Sequence, residues 1–343
     1  MPLTEFGCLP TVIGSMPQTD PAEACALVAR YLKDIPAWPQ LPNRSFLENM
    51  YAQYSQGFPG VVIEGNRIYV DRARGDVAES LVQLYTAYEK HDTDKYPISE
   101  NYAQGLHTFL ALKGMSPLAV KGQITGPVTW GLTVTDEEGR AIIYDDSFQD
   151  IVAMFLGLKA EWQERTLRQI SKNTIIFVDE PYMTAFGSVA VPFDKVRVIK
   201  LLNEVFSHIR GIKGVHCCGN TDWPVLLQTN TQILSFDAYS YAGSLSLYPA
   251  EVEAFLARKG CIAWGIVPNE VEALAGETVS SLKDRLEAAM APFSRNGMGF
   301  GQLLGQALLT PCCGLAGLPD GEAVATALEL LTGLSVAIRK RYL

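Results

Sequence analysis

Short β-branched runs alternate with longer segments of helical period along most of the chain, and this alternation most limits the possible folds. A typical pair is NTIIFVDEP, which has the pattern of a buried strand, followed by VPFDKVRVIKLLNEVFSHIR, whose apolar residues repeat at helical spacing. Strands that alternate with helices predict parallel strand–helix–strand units in an α/β fold. Because about eight such units are present, we expect a single (β/α)8 TIM barrel rather than a doubly wound sheet.

One segment does not follow the alternation. Residues 37–97 are rich in proline, glycine and aromatic residues. We expect them to form a loop-rich elaboration packed over the mouth of the barrel, either as a lid or as a fixed insertion. The 343 residues of the chain are otherwise predicted to form one catalytic barrel domain.

Polar side chains gather at the carboxyl end of the predicted strands. They are Ser15, Asp179, His216, Asp237 and Cys313, with Glu180 and Cys218 beside them. In a parallel α/β fold the carboxyl ends of the strands share one edge, and active sites are built there. The sequence therefore predicts a site assembled from several separate strand ends.

The sequence HCCGNT, residues 216–221, carries one of the 4 histidines and two of the 7 cysteines of the chain. On a strand, His216 and Cys218 point to one face and Cys217 points to the other. The spacing contains no Cys-x-x-Cys knuckle of a structural zinc site, but imidazole and thiolate ligands favour zinc over magnesium or calcium. Residue types and spacing leave three interpretations open: a metal site, core packing, and a nucleophilic cysteine.

Composition excludes several classes of function. The net charge of −9 and the pI near 5.1 argue against a nucleic-acid partner and against an anionic membrane surface. The first residues have no signal-peptide pattern, and no uninterrupted apolar run of about 18 residues predicts a membrane span. Seven cysteines without a disulfide spacing suit a reducing compartment, so we expect a cytoplasmic protein.

Five motifs follow one another along the chain: TVIGSMPQT (Thr11 to Thr19), GPVTW (Gly126 to Trp130), VDEP (Val178 to Pro181), His216-x-Cys218 and PCCGL (Pro311 to Leu315). In this order they resemble the motifs of the catalytic C-terminal barrel of cobalamin-independent methionine synthase. The sequence HCCGNT also resembles the His-x-Cys-Gly-Asn segment of the corrinoid-dependent coenzyme M methyltransferases, which belong to the same superfamily as uroporphyrinogen decarboxylase. The decarboxylases use no metal, so the cysteines argue against that branch.

The resemblance implies a zinc site that activates a thiol substrate. His216, Cys218 and Cys313 match three ligands of the family. The fourth family ligand is a glutamate, and the matching position in ILSFDAY holds Asp237, which is one methylene shorter. An aspartate can still bind zinc at about 2.0–2.2 Å, so Asp237 is expected to complete the ligand set.

The resemblance also implies an amino-acid substrate, homocysteine, which is methylated to methionine. Asp179 matches a carboxylate that binds the substrate ammonium, and the segment Ile13-Gly14-Ser15 matches the one that holds the substrate carboxylate. Glu64 is expected to supply a second carboxylate to this pocket, although the match around VVIEGN is poor.

Two departures from the family concern the methyl donor. The full family enzyme carries a second barrel that helps to bind folate, and this chain is expected to form one barrel. The family also has an Asp-Ile-His at the seventh strand, where this chain has Trp264-Gly265-Ile266-Val267-Pro268 and no histidine. We therefore expect a methylated corrinoid, such as methylcobalamin on a corrinoid protein, in place of methyl-tetrahydrofolate.

Two alternatives stay open beside methionine formation. The same chemistry could act on another thiol such as coenzyme M, although a sulfonate acceptor would leave Asp179 without a role. The chain could instead be a non-catalytic corrinoid- or thiol-binding partner. The remaining histidines, His91, His107 and His208, are predicted to be surface or packing residues.

Overall fold

The computed structural model describes residues 5–145, 147–189, 191 and 193–343. Its strands are β1 (Leu9–Pro10), β2 (Val61–Glu64), β3 (Arg67–Val70), β4 (Val120–Thr125), β5 (Thr135–Asp136), β6 (Thr174–Asp179), β7 (Ile212–Cys217), β8 (Ile233–Asp237), β9 (Cys261–Val267) and β10 (Ala307–Pro311). Its helices are α1 (Pro21–Tyr31), α2 (Met50–Gln53), α3 (Val77–Lys90), α4 (Gln104–Leu110), α5 (Pro127–Thr133), α6 (Gln149–Leu167), α7 (Lys195–Ser207), α8 (Trp223–Leu227), α9 (Ala238–Leu245), α10 (Pro249–Ala257), α11 (Val271–Gly276), α12 (Val279–Arg295), α13 (Phe300–Gly305) and α14 (Gly321–Tyr342).

The main sheet has seven strands in the order β1-β10-β9-β8-β7-β6-β4, and all of its pairs are parallel. Every residue of β4, β6, β8, β9 and β10 is buried. Burial on both faces is expected for parallel strands that are covered by helices. The α/β class with a curled parallel sheet is therefore confirmed.

The eighth strand of the predicted barrel is not among the regular strands of the described residues. Residues 36–40 nevertheless lie between the two edges of the sheet. Gln40 forms an isolated parallel bridge with Ser15, which follows β1, and Ala37 forms another with Lys121 of β4. The Gln40 N–H donates to Gly14 O at 3.0 Å, and the Lys121 N–H donates to Pro36 O at 2.9 Å. This segment thus links both edges with irregular pairing.

The segment 37–97 contains regular elements as well as loops. Its first residues pair with the sheet, and its middle forms the antiparallel hairpin of β2 and β3, which joins β5 in a separate three-stranded sheet. Helix α3 follows, and its residues Leu84 and Ala87 are buried against the rest of the protein. Only the part near residues 40–51 lines the cavity described below.

Two apolar clusters form the core. The larger one lies where the helices pack around the sheet. The smaller one is contributed by alternate residues of the sheet and its flanking segments: Phe6, Leu9, Ile35, Ala119, Ile175, Phe177, Ile233, Cys261, Ala263 and Leu308. Because alternate residues of a strand share one face, the smaller cluster fills the side of the sheet that faces away from the helices.

Helix α14 is 22 residues long and, among the described residues, is the one helix apolar and long enough to cross a membrane by length and composition. In the structure one side of it packs against β1, β10 and α12. Leu328, Leu331, Leu334 and Ile338 on that side are fully buried. The burial explains its apolar composition as that of a core helix.

A buried amide network attaches residues 36–40 to the sheet. Gln163 of α6 accepts from Trp38 Nε1 at 2.9 Å and from the Gln123 N–H at 3.0 Å. The Gln163 amide also donates to Gln123 O at 2.8 Å. These bonds satisfy polar groups that have no access to water.

Gln163→Leu is expected to lower the free energy of unfolding by about 3 kcal/mol or more, because each buried polar group left without a partner costs about 1–3 kcal/mol. Gln169→Leu, at an exposed position beyond the same helix, is the matched control and should change it by no more than about 0.5 kcal/mol. Urea unfolding followed by circular dichroism measures both. Equal stability of the two variants would contradict the role of the network.

Candidate functional site

A cavity of about 320 Å³ lies at the carboxyl end of the sheet. Asp179 is the last residue of β6, His216 lies one residue before the end of β7, and Cys313 follows β10. The parallel pairing brings these positions together from across the sheet. The cavity is lined by Ile13, Ser15, Gln40, Pro42, Glu48, Asn49, Met50, Tyr51, Asp179, Pro181, His216, Cys218, Cys313, Gly314, Ala316 and Gly317.

Three potential metal ligands meet in this cavity. One ligand atom each of His216, Cys218 and Cys313 lies within 4.8 Å of the other two. The His216 Nδ1 atom is 3.0 Å from Ser235 Oγ, whereas Nε2 is buried and has no hydrogen-bond partner among the described residues. A ring held through one nitrogen, with the other facing two sulfurs, is the arrangement of a metal-binding histidine with its outer partner.

The two sulfurs of this group have different proton affinities. The neighbouring Cys313 thiol lowers the pKa of Cys218, and the His216 ring acts in the same direction against the effect of burial. The nearby Cys218 sulfur raises the pKa of Cys313, since ionisation of Cys313 would place a second negative charge beside the first. Of the two thiols, Cys218 therefore has the lower pKa.

The neighbouring cysteines turn away from this group. The Cys217 thiol lies 3.6 Å from Gly219 O, and the Cys312 thiol lies 3.0 Å from Asn269 Oδ1. Burial raises the pKa of both thiols to about 12. In each of the two pairs of adjacent cysteines, the second cysteine is therefore the one that belongs to the group with His216.

Asp237 stands apart from the three potential ligands. It is not within 4.8 Å of all of them, and its Oδ1 accepts from the Ser240 N–H at 2.8 Å as the N-cap of α9. It lines a second cavity of about 310 Å³ that shares Cys218 and Cys313 with the first. The side chain of Asp237 thus caps the helix that begins after it, and the expectation that Asp237 completes the ligand set stays a prediction.

Asp179 is a buried carboxylate with an unused oxygen. Its side chain is 7% exposed, and Oδ1 is buried without a hydrogen-bond partner among the described residues. Burial raises the pKa of its carboxyl, while His216 and Lys121 nearby act in the opposite direction. A buried carboxylate oxygen left without a hydrogen bond among the described residues is the state expected of a group that binds a ligand.

The segment Ile13-Gly14-Ser15 is fixed beside Asp179. The fully buried Lys121 donates to Ile13 O at 2.6 Å and to Gln123 Oε1 at 3.3 Å. Gly14 has φ of +148°, and a Cβ there would lie 2.6 Å from Gln123 Cδ, so only glycine fits. Ile13 and Ser15 line the cavity as the sequence led us to expect.

Glu180, next to Asp179, serves a different purpose. Its two oxygens accept from the Val128 and Thr129 N–H groups at 3.0 and 2.8 Å, at the first turn of α5. Burial raises the pKa of this carboxyl to about 7. A Cβ at Gly126 would lie 2.2 Å from Glu180 Oε1, which explains the glycine of the GPVTW motif. The motif and VDEP are thus complementary parts of one contact.

Glu64, expected in the pocket, lies elsewhere. It is exposed at the turn end of the β2–β3 hairpin and is not among the residues that line the cavity. Besides Asp179, the carboxylate that lines the cavity is Glu48. Glu48 is fully buried, accepts from Arg44 Nη1 at 2.7 Å through Oε1, and has no hydrogen-bond partner for Oε2 among the described residues. Burial raises the Glu48 pKa, against the effect of Arg44.

Several solved structures are similar to this one, among them the following three. A B12-independent methionine synthase from Shewanella sp. W3-18-1, in complex with selenomethionine, is 16% identical with a TM-score of 0.58, over 97% of this chain and 98% of that chain. A candidate vitamin-B12-independent methionine synthase from Listeria monocytogenes is 14% identical with a TM-score of 0.54, over 94% and 85%. A methyltransferase from Methanosarcina mazei is 13% identical with a TM-score of 0.50, over 94% and 86%. The chain shares the fold of these proteins.

The likeness confirms, at the level of the fold, the resemblance that the five motifs predicted. No protein-family model matches the sequence, and no curated protein matches it.

The paired cysteines offer a test of the proposed ligands. Cys313→Ser is expected to weaken zinc binding at this centre by more than the 10- to 100-fold that loss of an outer partner typically costs, because a sulfur ligand is removed. Cys312→Ser should leave it close to that of the unchanged protein. Cobalt(II) in place of zinc reports the centre directly, since thiolate ligation produces an intense near-ultraviolet band. Loss of that band in the Cys312 variant, or a band of unchanged intensity in the Cys313 variant, which retains only the Cys218 sulfur, would refute this ligand set.

Proposed function

We propose that this protein is a zinc-dependent methyltransferase that transfers a methyl group to the thiol of homocysteine and so forms methionine. The observation that carries the proposal is the Asp179 carboxylate, whose Oδ1 has no hydrogen-bond partner in the described part of the chain, in the same cavity as the group of His216, Cys218 and Cys313. An amino acid with a thiol needs a carboxylate that binds its ammonium and a metal site that binds its sulfur. The complex of the Shewanella methionine synthase with selenomethionine supports an amino-acid ligand in this fold.

The three clustered side chains fit zinc. The His216 Nε2 atom is buried and unpartnered, and the two cysteines supply the soft ligands that zinc accepts. Bound zinc would lower the pKa of a substrate thiol, which for a cysteine-like group is otherwise about 8.5. The Ser235 hydroxyl keeps the His216 ring in the orientation that ligation requires.

The two charged groups of homocysteine would meet different groups of the cavity. Its ammonium would be bound by the Asp179 carboxylate, with Glu48 as a second carboxylate on the wall. Its carboxylate would be held by the hydroxyl and backbone N–H of Ser15, at the segment that Lys121 fixes. With both charged groups of the α-carbon held, the thiol at the other end would be directed toward the sulfur ligands.

The methyl donor that we propose is a methylated corrinoid. The sulfur–carbon bond forms as the carbon–cobalt bond breaks, the cobalt keeps the electron pair, and the thiol proton passes to solvent. No proton has to be delivered to the leaving group. This suits the second cavity, because none of the described residues that line it is a histidine. They include Asp237, Tyr239, Tyr241, Asn269 and Glu270.

We further infer that residues 36–40 act as the eighth strand of a (β/α)8 barrel. The bridges of Ala37 and Gln40 to opposite edges of the sheet support this closure. A single catalytic domain of 343 residues and a cytoplasmic location remain predictions from the sequence.

The first experiment mixes zinc-loaded protein with homocysteine and methylcobalamin and follows methionine by mass spectrometry. We expect methionine from the unchanged protein and from Cys312→Ser, and a loss of at least about 100-fold in Cys313→Ser, because the thiol is no longer activated. Methyl-tetrahydrofolate in place of methylcobalamin should give none. Methionine from the folate donor, or equal rates in both variants, would contradict the proposal.

The role of Asp179 is tested with a substrate that lacks the ammonium. The unchanged protein should prefer homocysteine over 4-mercaptobutanoate, its des-amino analogue, by about 10- to 100-fold in kcat/KM, the value of one hydrogen bond between charged groups. Asp179→Asn should remove most of this preference, while Glu64→Gln should retain it. Coenzyme M serves as a third acceptor. A preference for coenzyme M, or an unchanged preference in Asp179→Asn, would favour another thiol substrate.

A further inference from the structure

A second group of potential metal ligands lies on the outer helices. His91 follows the last residue of α3, Glu161 lies in α6, and His208 follows the last residue of α7. The Nδ1 atoms of His91 and His208 are each 3.0 Å from the same oxygen, Oε2 of Glu161. One ligand atom of each residue lies within 4.8 Å of the other two. None of the three residues lines either of the two cavities that contain Cys218 and Cys313.

The packing around His208 is shaped to hold its ring. The side chain is 3% exposed, and a Cβ at position 157 of α6 would lie 2.6 Å from His208 Cδ2, so Gly157 provides the space. Glu204 Oε1 lies 3.9 Å from His208 Nε2 and accepts from the Tyr88 hydroxyl at 2.6 Å. The ring thus has a carboxylate on each side.

The group carries negative charge without a permanent cation. Among the described residues, no lysine or arginine lies within 4.0 Å of the Glu161 or Glu204 carboxylates. His91, by contrast with His208, has a side chain that is 51% exposed. A small cation could therefore reach the group from solvent on the His91 side, and water could complete its coordination.

We propose that His91, Glu161 and His208 form a second divalent-metal site of the zinc class. Two imidazoles and one carboxylate are a ligand set that zinc accepts. Zinc–ligand distances of about 2.0–2.1 Å imply tetrahedral edges of about 3.3 Å, so the observed 3.0 Å separations need to open only slightly. The Glu204 carboxylate, 3.9 Å from the far nitrogen of His208, lies close enough to become its outer partner after a small shift.

Such a site would act on stability rather than on the methyl transfer. It joins the end of α3, which belongs to the segment 37–97, to α6 and α7, which cover the main sheet. A cation that binds the folded form but not the unfolded one raises the thermal midpoint in proportion to the logarithm of its concentration over Kd. Binding of the metal would therefore hold α3 more firmly against α6 and α7.

The test begins by removing the two sulfur ligands of the first group, so that zinc can bind only at the second. In a Cys218→Ser/Cys313→Ser background, metal-free protein is titrated with zinc by calorimetry. We expect one equivalent to bind, with a Kd in the micromolar range or below. Adding His91→Gln should weaken binding by at least tenfold, and since His91 is half-exposed this change should leave the fold intact. His107→Gln, which removes a ring bound to Ile98 O at 2.9 Å outside the group, is the control and should not alter binding.

A second measurement separates ligation from hydrogen bonding. Glu161→Gln keeps an oxygen acceptor for the rings but removes the charge. In the same background, zinc should raise the thermal midpoint by a few degrees, and this rise should vanish in Glu161→Gln and His91→Gln but persist in His107→Gln. Absence of zinc binding in the double-cysteine background, or binding that survives both variants, would overturn the proposal. Neither outcome depends on which substrate the thiol centre uses.

Discussion

Parallel pairing makes the strands of the main sheet end at one edge, so that side chains from distant parts of the sequence meet there. His216 and Cys313 are about a hundred residues apart in the sequence, yet each lies close to the carboxyl end of its own strand. The cavity exists because the register of the sheet is fixed. The buried strands and the small apolar cluster on their inner face set that register.

Burial at this edge leaves polar atoms that the protein itself does not satisfy. Asp179 Oδ1, His216 Nε2 and Glu48 Oε2 are all buried without hydrogen-bond partners among the described residues, and their residues line one cavity. Other buried atoms without such partners, for example those of Gln18 and Thr93, do not line this cavity, whereas Glu180 is satisfied by the first turn of α5. The cavity is distinguished because two carboxylates and an imidazole with unused atoms line the same space, where a ligand could complete their polar contacts.

The sequence allowed some of this to be predicted. Strand alternation placed His216 and Cys218 on one face, and the position after a predicted strand indicated Asp179 and Cys313. Sequence patterns did not reveal that Asp237 would cap α9, because an aspartate before a helix suits a ligand and a cap equally well. Glu48 was missed because it lies in a segment without periodicity, where only tertiary packing decides which carboxylate turns inward.

The same limit applies to the outer helices. His91 and His208 were expected at the surface or in packing, since they are 117 positions apart with no shared motif. Their approach follows from how α3, α6 and α7 pack, and Gly157 is the one local sign of it. Such a glycine can be recognised only when the ring opposite to it is known.

The irregular pairing of residues 36–40 has a consequence for how the cavity exchanges its contents. Each edge of the sheet is held there by isolated bridges, whereas β4 and β6 share six paired residues. The residues that follow, from Gln40 to Tyr51, form one wall of the cavity. Opening at this seam would break fewer backbone hydrogen bonds than separation of β4 from β6, but it would also have to release Trp38 from Gln163. Exchange of the cavity contents past this wall is therefore tied to the buried amide network, while the ends of β6, β7 and β10 keep their register.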